Sequence, residues 1–287
     1  IRRPPRSTQS RSSAASDVYK RQVYKLEKPV FLIDAIKSIK NQSIVPDEIV
    51  IVIDGPVGKD LSNTIESLAT KNTIVVVSLK QNMGPGSARH AGILKAKNSI
   101  IALMDSDDIS RNDRFEMQLD VLINKKVDAV GGWIEEFNTS PGDLNRFRIT
   151  PESHEEIVLY SKWRMPINNV TLVFKKEAYF ATGGYKSMRQ FEDFDLVSRM
   201  LILGLKFNNI QKVLVDVRVG NEMHNRRRGV RFLMDEISVF RGMHSSGYIG
   251  IWQYAANIII RLFTRLLPSK IIVHLYTKFF RKNTMKI

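Results

Sequence analysis

The chain has 287 residues, 43% of them hydrophobic, and it contains no cysteine. A chain of this length and composition can fill the core of one large domain or of two small ones. The lack of cysteine excludes disulfides, thiolate zinc sites and cysteine nucleophiles, and it fits a reducing cytosolic compartment.

The net charge of +15 is concentrated at the two ends of the chain. Residues 1–22 carry six basic residues and one acid, and residues 218–287 carry thirteen basic residues and three acids. The middle, residues 23–217, carries 25 residues of each sign. Because a nucleic-acid-binding domain carries its basic residues across the folded part, the neutral middle argues against nucleic acid as a partner.

The first 22 residues are rich in Arg, Ser and Pro and show no apolar periodicity. Such a segment buries too little apolar surface to order itself, so we predict a disordered leader. It lacks the apolar core of a secretory signal, and a transit peptide is the alternative. We interpret the leader as non-native sequence that resembles vector or adapter read-through.

From residue 23 onward, helical and strand patterns alternate. The patterns predict helices around 32–39 and 61–68, strands at 48–53, 74–79 and 100–104, and a glycine-rich loop at 82–92 that leads into a helix. This alternation predicts an α/β fold with a doubly wound, mostly parallel sheet.

Shorter elements follow in the second half. The patterns predict a helix around 115–122, a strand at 127–133, a polar loop over 135–154, a strand within 166–174, a turn at 183–184, a helix at 191–201 and a strand at 213–219. Residues 248–287 mix apolar and basic side chains without the roughly 20 uninterrupted apolar residues of a membrane span. We predict basic amphipathic helices on an anionic membrane surface there; packing on the domain with solvated charges is the alternative.

The strand at 100–104 ends in three carboxylates within four residues, Asp105, Asp107 and Asp108. Ligands bind at the carboxyl edge of open α/β sheets, and crowded carboxylates there need a cation or hydrogen-bond donors. Mg²⁺ and Mn²⁺ prefer such oxygen ligands. The cluster therefore predicts a divalent metal site, with a solvated turn and helix cap as the alternative.

Taken in order, these motifs resemble a family 2 glycosyltransferase of the GT-A fold, of the bacterial exopolysaccharide and O-antigen type. The resemblance covers residues 23–282. It rests on Tyr24, Glu48–Gly55, Asn82–Gly92, Asp105–Asp108, Asp113–Arg114, Gly131–Gly132, Pro166–Thr171, Gly183–Tyr185, Glu192–Asp195 and Arg226–Gly229. It implies a Rossmann-like GT-A domain over residues 23–247, followed by the amphipathic helical tail 248–287.

The resemblance also implies the reaction and its location. We expect an inverting, metal-dependent hexosyltransferase that moves a sugar from a nucleotide-sugar, first of all a UDP-sugar, to a saccharide or lipid-linked acceptor. Such an enzyme would be cytoplasmic and peripheral on the inner face of the membrane. The alternatives are another metal-dependent nucleotide enzyme, such as a nucleotidyltransferase, and a basic membrane-binding protein without catalysis.

The roles that the resemblance implies for single residues fall into three groups. The nucleotide-sugar would be bound by Tyr24, Asp54, Asn82, Arg89, Asp105 and Arg227. Mn²⁺ or Mg²⁺ would be held by Asp107 and Asp105 across the donor phosphates. The catalytic residues would be Asp193 and Glu192 of the acidic motif, and Asp193 would take the proton of the acceptor hydroxyl as general base.

Structural alternatives stay open at four of these positions. Asp54 could form an Asp-Gly turn, and Arg89 could fix its loop by pairing with an aspartate. Asp193 could complement a helix dipole, and the basic run containing Arg227 could be solvated. Trp133 and Trp163 could stack on a sugar or belong to the core.

The sequence departs from the family pattern in three places. Val23 is joined directly to the leader, so the family's first strand is missing or replaced, with residues 17–25 as the candidate for its position. Val197 stands where the family often has tryptophan, and His90 where asparagine is usual.

Overall fold

The computed structural model describes residues 16–23, 27–70, 73–219 and 230–266 of the chain. The strands are β1 (Ser16–Val23), β2 (Glu48–Asp54), β3 (Ile74–Leu79), β4 (Ile100–Met104), β5 (Ile109–Ser110), β6 (Ala129–Phe137), β7 (Arg146–Arg148), β8 (Val173–Lys175) and β9 (Phe207–Arg218). The helices are α1 (Pro29–Lys40), α2 (Lys59–Ala69), α3 (Pro85–Lys95), α4 (Arg114–Asn124), α5 (His154–Ser161), α6 (Lys176–Ala181), α7 (Glu192–Ile202), α8 (Val230–Ser245) and α9 (Ile251–Leu266).

Within these residues the strands form one sheet in the order β3-β2-β1-β4-β8-β6-β9-β5, with β7 beside β6. The four strands from β3 to β4 are parallel, β8 is antiparallel to both of its neighbours, and β6 and β9 are parallel again. The predicted α/β fold with a mostly parallel sheet is confirmed.

The two faces of the sheet bury two separate cores. On β2, Ile49 and Ile51 face the core that contains residues of α1, α2 and α4. Val50 and Val52 face the other core, with residues of α3, α6 and α7. Successive side chains of a strand point to opposite faces, so a continuous apolar run fits a strand covered by helices on both sides. Fully burying each of these side chains contributes about 1.5–3 kcal/mol.

The central strand β1 is formed by residues that the sequence pattern assigns to the leader. Ser16–Val23 lies between β2 and β4 and pairs in parallel with both. The facing edges of β2 and β4 carry backbone groups that need hydrogen-bond partners, and any extended segment can supply them. The expectation of disorder is therefore corrected for residues 16–22, and the position of the first strand is filled. The non-native origin of the leader stays a prediction.

The predicted polar loop over 135–154 is interrupted by strand and helix. Strand β6 continues to Phe137, and β7 and the start of α5 also fall inside the range. The end of β6 contains Glu135 and Glu136, so a hydrophobicity pattern does not predict a strand there. Both are buried, and a cation lies beside each: Glu135 accepts a hydrogen bond from Arg111 at 2.7 Å, and Glu136 lies 3.8 Å from Arg146.

Two further predicted elements differ in extent. The strand expected within 166–174 is a short 3₁₀ helix, Asn169–Thr171, followed by β8. The last strand, expected at 213–219, begins already at Phe207 because the whole of β9 pairs with β6.

Of the tail expected at 248–287, residues 251–266 form a helix. Helix α9 ends at Leu266, and residues 267–287 lie outside the described residues. Among the helices that the structure describes, none has the length and apolar content needed to cross a membrane.

Candidate functional site

Asp54, the last residue of β2, holds the glycine-rich loop against the carboxyl edge of the sheet. Its two carboxylate oxygens accept hydrogen bonds from the backbone N–H groups of Met83, at 2.6 Å, and Gly84, at 3.0 Å. Gly55 has a φ of +86°, and a Cβ there would stand 2.7 Å from the backbone nitrogen of Asn82. Glycine is therefore required for the loop to approach this closely.

The acidic turn follows β4 on the same edge. Asp105 and Asp108 are buried, whereas Asp107 is partly exposed. Beneath the turn lies Arg114, which is fully buried and donates to the carbonyl of Leu103 at 2.7 Å. Burial lowers the pKa of Arg114, but Asp108 and Asp105 oppose this shift. The buried guanidinium thus supplies part of the positive charge that these carboxylates need.

Arg218, at the end of β9, holds the acidic turn in place through two hydrogen bonds. Its Nε donates to the carbonyl oxygen of Asp107 at 3.2 Å, and its backbone N–H donates to the Asp108 carboxylate at 2.9 Å. The guanidinium stacks on the rings of Phe31 and Phe137, at 3.9 and 4.5 Å from their centroids. Sequence reasoning missed this residue, because it lies in an ordinary strand pattern far along the chain.

The acidic motif at the start of α7 contains two carboxylates in different environments. Glu192 is buried and binds Nη1 of Arg89 at 2.5 Å, whereas Asp193 is only half-buried. Burial raises the pKa of Glu192, and Asp193 adds to the shift, although Arg89 opposes it. Burial works against the charge of Arg89, but Tyr185, Glu192 and nearby aspartates raise its pKa above the ordinary value.

These parts converge on one edge of the sheet. The charges of Asp105 and Asp193 both raise the pKa of Arg89, so the acidic turn and α7 lie near α3. At the first turn of α3, a Cβ on Gly86 would lie 3.3 Å from the Glu192 side chain. Of the two roles open for Arg89, the geometry shows pairing, with a glutamate rather than an aspartate. Direct contact of Arg89 with a diphosphate stays a prediction.

The acidic turn can serve as a metal site only together with other ligands. Among the described residues, no group of three or more His, Cys, Asp or Glu side chains is arranged to hold a metal ion. Mg²⁺ and Mn²⁺ typically take one or two protein carboxylates together with substrate phosphates. The oxygen ligands of Asp105 and the more exposed Asp107 fit such a shared site.

The remaining predicted residues are placed as follows. Asn82 is exposed in the loop, with its amide 3.4 Å from the Asp54 carbonyl. Trp133 donates to the Thr150 carbonyl, and Trp163 lies beside α9, where its carbonyl accepts from an arginine of that helix. Tyr24 and Arg227 lie outside the described residues.

Two further side chains, Asp195 and His90, have local partners. Asp195 and Arg199 form the ion pair expected from their spacing, at 2.6 Å. His90, which stands where the family has asparagine, lies with Nδ1 2.7 Å from the Tyr179 hydroxyl.

Comparison with known proteins identifies the family. The glycosyl transferase family 2 model matches residues 24–193, which is more than half of the chain. The chain belongs to glycosyltransferase family 2. This confirms the resemblance and decides against the nucleotidyltransferase and the non-catalytic binding protein.

Relatives of this glycosyltransferase share nearly its full length. The UDP-Gal:alpha-D-GlcNAc-diphosphoundecaprenol beta-1,3-galactosyltransferase of Escherichia coli is 36% identical over 91% of this chain and 94% of its own. The amylovoran biosynthesis glycosyltransferase AmsE of Erwinia amylovora is 32% identical over 89% of this chain and 96% of its own.

Solved structures show the GT-A fold of this glycosyltransferase. S. aureus TarS in complex with UDP-GlcNAc matches with a TM-score of 0.66 and 14% identity, over 87% of this chain and 72% of that one. The mannosyltransferase PcManGT from Pyrobaculum calidifontis, in complex with GDP-Man and Mn²⁺, matches with a TM-score of 0.60 and 14% identity, over 92% and 79%. At this identity the likeness concerns the fold alone.

Proposed function

We propose that this glycosyltransferase transfers a hexose, with inversion, from a UDP-sugar to a lipid-linked saccharide in the synthesis of a cell-surface polysaccharide. The observation that carries the proposal is the convergence of four parts on one sheet edge: Asp54, the glycine-rich loop, the acidic turn and the start of α7. The Escherichia coli relative, whose name states a UDP-sugar donor and a diphosphoundecaprenol-linked acceptor, supports the choice of substrates.

The donor would bind along this edge. Asp54 has both oxygens engaged by the loop, but each carboxylate oxygen can accept more than one hydrogen bond, so a contact with the uracil ring is compatible with the loop contacts. Asn82 stands exposed in the same loop. The proposed donor-binding set also includes Tyr24 and Arg227, which lie outside the described residues.

The metal proposed here is Mn²⁺ or Mg²⁺, held by Asp107 and Asp105. When bound, it would neutralise charge on the departing nucleoside diphosphate. The buried Arg114 and the stacked Arg218 keep the turn in place, so the two carboxylates do not need the ion in order to be held near each other.

The two acids of α7 receive different roles. Asp193 is the accessible carboxylate and would accept the proton of the acceptor hydroxyl as the new glycosidic bond forms. Glu192 is buried against Arg89 and would act through it, as a positioning residue for the helix start. Acid–base sites commonly contain two carboxylates whose different environments give them different pKa values.

Titration calorimetry of UDP in the presence and absence of Mn²⁺ tests the donor site. We expect binding that depends on the metal and is lost in Asp107→Ala. Glu116→Ala, a carboxylate in the first turn of α4, is the matched control and should bind UDP like the original chain. Metal-independent binding would overturn the metal site, and folded protein that binds no UDP at all would overturn the donor assignment.

The site of action proposed for the enzyme is the inner face of the cytoplasmic membrane, where the enzyme would be peripheral. A lipid-linked acceptor places the reaction near a bilayer surface. The charge distribution agrees with this, because residues 218–287 have a net charge of +10, whereas residues 23–217 are neutral.

A further inference from the structure

Helix α9 is oriented with its apolar side toward solvent. Trp252 is 85% exposed, Ile259 65% and Phe263 68%. These three positions recur at helical spacing and therefore lie on one side of the helix. Ile251, Ile260 and Leu262 flank them and are exposed as well. We call these six residues the outward face of α9.

The side of α9 that faces the domain carries buried polar residues beside Tyr254, which packs against the core between α7 and α8. Asn257 is fully buried and donates to the carbonyl of Lys162 at 3.0 Å. Arg261 is buried, donates to the carbonyl of Trp163 and lies 3.3 Å from the carboxylate of Glu236 on α8. In the usual surface helix the charged side chains face water and the large apolar ones face the core. In α9, Arg261 and Arg265 face the domain and most of the large apolar side chains face solvent.

The bond network around Glu236 fixes this orientation. Glu236 is itself buried, and its two oxygens pair with Arg261 and with Arg265, the latter at 2.7 Å. Turning α9 by half a rotation would leave the carboxylate of Glu236 buried without its two cations, which is strongly destabilising. The apolar residues therefore stay outward. Of the alternative expectation, α9 does pack on the domain, but Arg261 and Arg265 are paired with Glu236 and not solvated.

An anionic lipid surface fits the outward face better than a second copy of the chain does. The 21 residues that follow α9, 267–287, contain five basic residues and no acid. Two copies that met through this region would bring like charges together, whereas anionic lipid headgroups would attract them. Tryptophan, as at Trp252, is enriched at the interface between lipid and water.

We infer that the outward face of α9 inserts into the surface layer of an anionic lipid bilayer, with α9 parallel to the membrane plane. This inference rests on the proposed function in one respect, since a lipid-linked acceptor would be located at the membrane surface. The brace between Glu236 and the two arginines then sets the orientation of the domain relative to the membrane. Burying apolar side chains in the acyl boundary, together with basic flanks, is how interfacial helices bind.

Co-sedimentation of the full chain with vesicles tests the inference. The vesicles are phosphatidylglycerol mixed with phosphatidylethanolamine, and pure phosphatidylcholine for comparison. We expect the chain to bind the anionic vesicles, and the double variant Trp252→Asp/Phe263→Asp to lower the partition coefficient by at least about tenfold. Both positions are exposed, so the substitutions leave the folded core intact.

A second double variant controls for charge. Val45→Asp/Ile123→Asp adds the same two negative charges at side chains that are also exposed, 56% and 55%, but that lie away from α9, in the loop before β2 and on α4. It should bind like the original chain. Equal loss in both double variants would mean that net charge alone drives binding and would overturn insertion of the outward face.

A measurement on the unaltered face completes the test. Brominated lipids quench nearby tryptophan, so the fluorescence of the chain should fall on binding, and Trp252→Phe should lose most of that change. Light scattering that shows a dimer broken by Trp252→Asp/Phe263→Asp, together with absent vesicle binding, would overturn the inference in favour of a second copy.

UDP calorimetry on the same samples separates membrane insertion from the proposed function. Absent UDP binding overturns the donor site and leaves the vesicle result standing.

Discussion

Nη1 of Arg89 lies 2.5 Å from Oε1 of Glu192, and both side chains are buried. This pair joins α3, which begins at the glycine-rich loop, to the first turn of α7, where Asp193 follows. It connects the proposed donor side of the site with the proposed acceptor side. Arg89 also lies over the ring of Tyr185, at 5.8 Å from its centroid.

The first prediction is that Arg89→Met destabilises the enzyme by about 3–5 kcal/mol, because it leaves a buried carboxylate without its cation. Urea unfolding measures the change. The double variant Arg89→Met/Glu192→Leu should recover part of the loss, since it removes both charges together.

An exposed ion pair provides the control for this prediction. Lys125 lies 3.6 Å from Glu152, with both side chains about half exposed. Lys125→Met should change stability by no more than about 1 kcal/mol, because solvent screens such a pair. If Arg89→Met cost as little as Lys125→Met, the buried pair would not be the link between α3 and α7.

The second prediction concerns pH. Burial raises the pKa of Glu192, and Arg89 opposes the shift, so removing Arg89 raises this pKa further. A carboxyl group with a raised pKa in the folded state contributes stability below its unfolded pKa and loses it as pH rises through the folded pKa. The cost of Arg89→Met should therefore be smaller at about pH 5 than at about pH 8.

Urea unfolding at the two pH values measures this difference against the original chain. Arg89→Met/Glu192→Gln has no carboxylate left at this position, so its cost should not grow in the same way. A cost of Arg89→Met that stayed constant across the range would contradict the raised pKa.

The sequence predicted the fold and the site best where a complete motif lies within one strand or one loop. The apolar runs of β2 and β4, ending at Asp54 and Asp105, predicted both the buried strands and their shared edge. Contacts between distant segments left no such pattern. Glu135 can be buried within a strand because Arg111, in the loop between β5 and α4, pairs with it, and no hydrophobic period records that pairing.

The same limit applies to the orientation of side chains. The composition of α9 predicted an amphipathic helix, but only the contacts of Glu236 with Arg261 show that its charged side faces inward. The sequence offered residues 17–25 only as a candidate for β1, because that segment is poorly apolar and backbone pairing is what places the strand.

The third prediction is that Asp193→Asn lowers kcat by about 10²–10⁴-fold, because the amide cannot accept the acceptor proton. UDP affinity and the free energy of unfolding should stay close to those of the original chain, since Asp193 is half-buried and bonds to the N–H of Phe194 at the helix start. Steady-state kinetics and UDP calorimetry on the same samples measure the two effects.

Asp195→Asn, on the same turn of α7, is the matched control. Asp195 pairs with Arg199 at 2.6 Å and with Lys186 at 3.3 Å, so its loss should lower stability by about 1–3 kcal/mol. Turnover of the folded fraction should fall far less than in Asp193→Asn. Equal losses of kcat in both variants would show that the helix start, not the Asp193 carboxylate, limits the reaction.

The fourth prediction concerns Arg218 as a positioning residue for the acidic turn. Arg218→Gln removes the stacking on Phe31 and Phe137 and the hydrogen bond to the carbonyl of Asp107. Groups that orient metal ligands typically change metal affinity by about 10–100-fold. We therefore expect the Mn²⁺ concentration that supports half-maximal UDP binding to rise by about tenfold or more.

Two further variants separate position from charge. Arg218→Lys keeps the positive charge but lacks the planar guanidinium that stacks between two rings, so it should resemble Arg218→Gln and not the original chain. Arg231→Gln removes an exposed positive charge on α8 and should leave the Mn²⁺ requirement unchanged. If Arg218→Lys restored the original requirement, charge near the donor phosphates would explain the effect, and the stacked geometry would have no part in holding the turn.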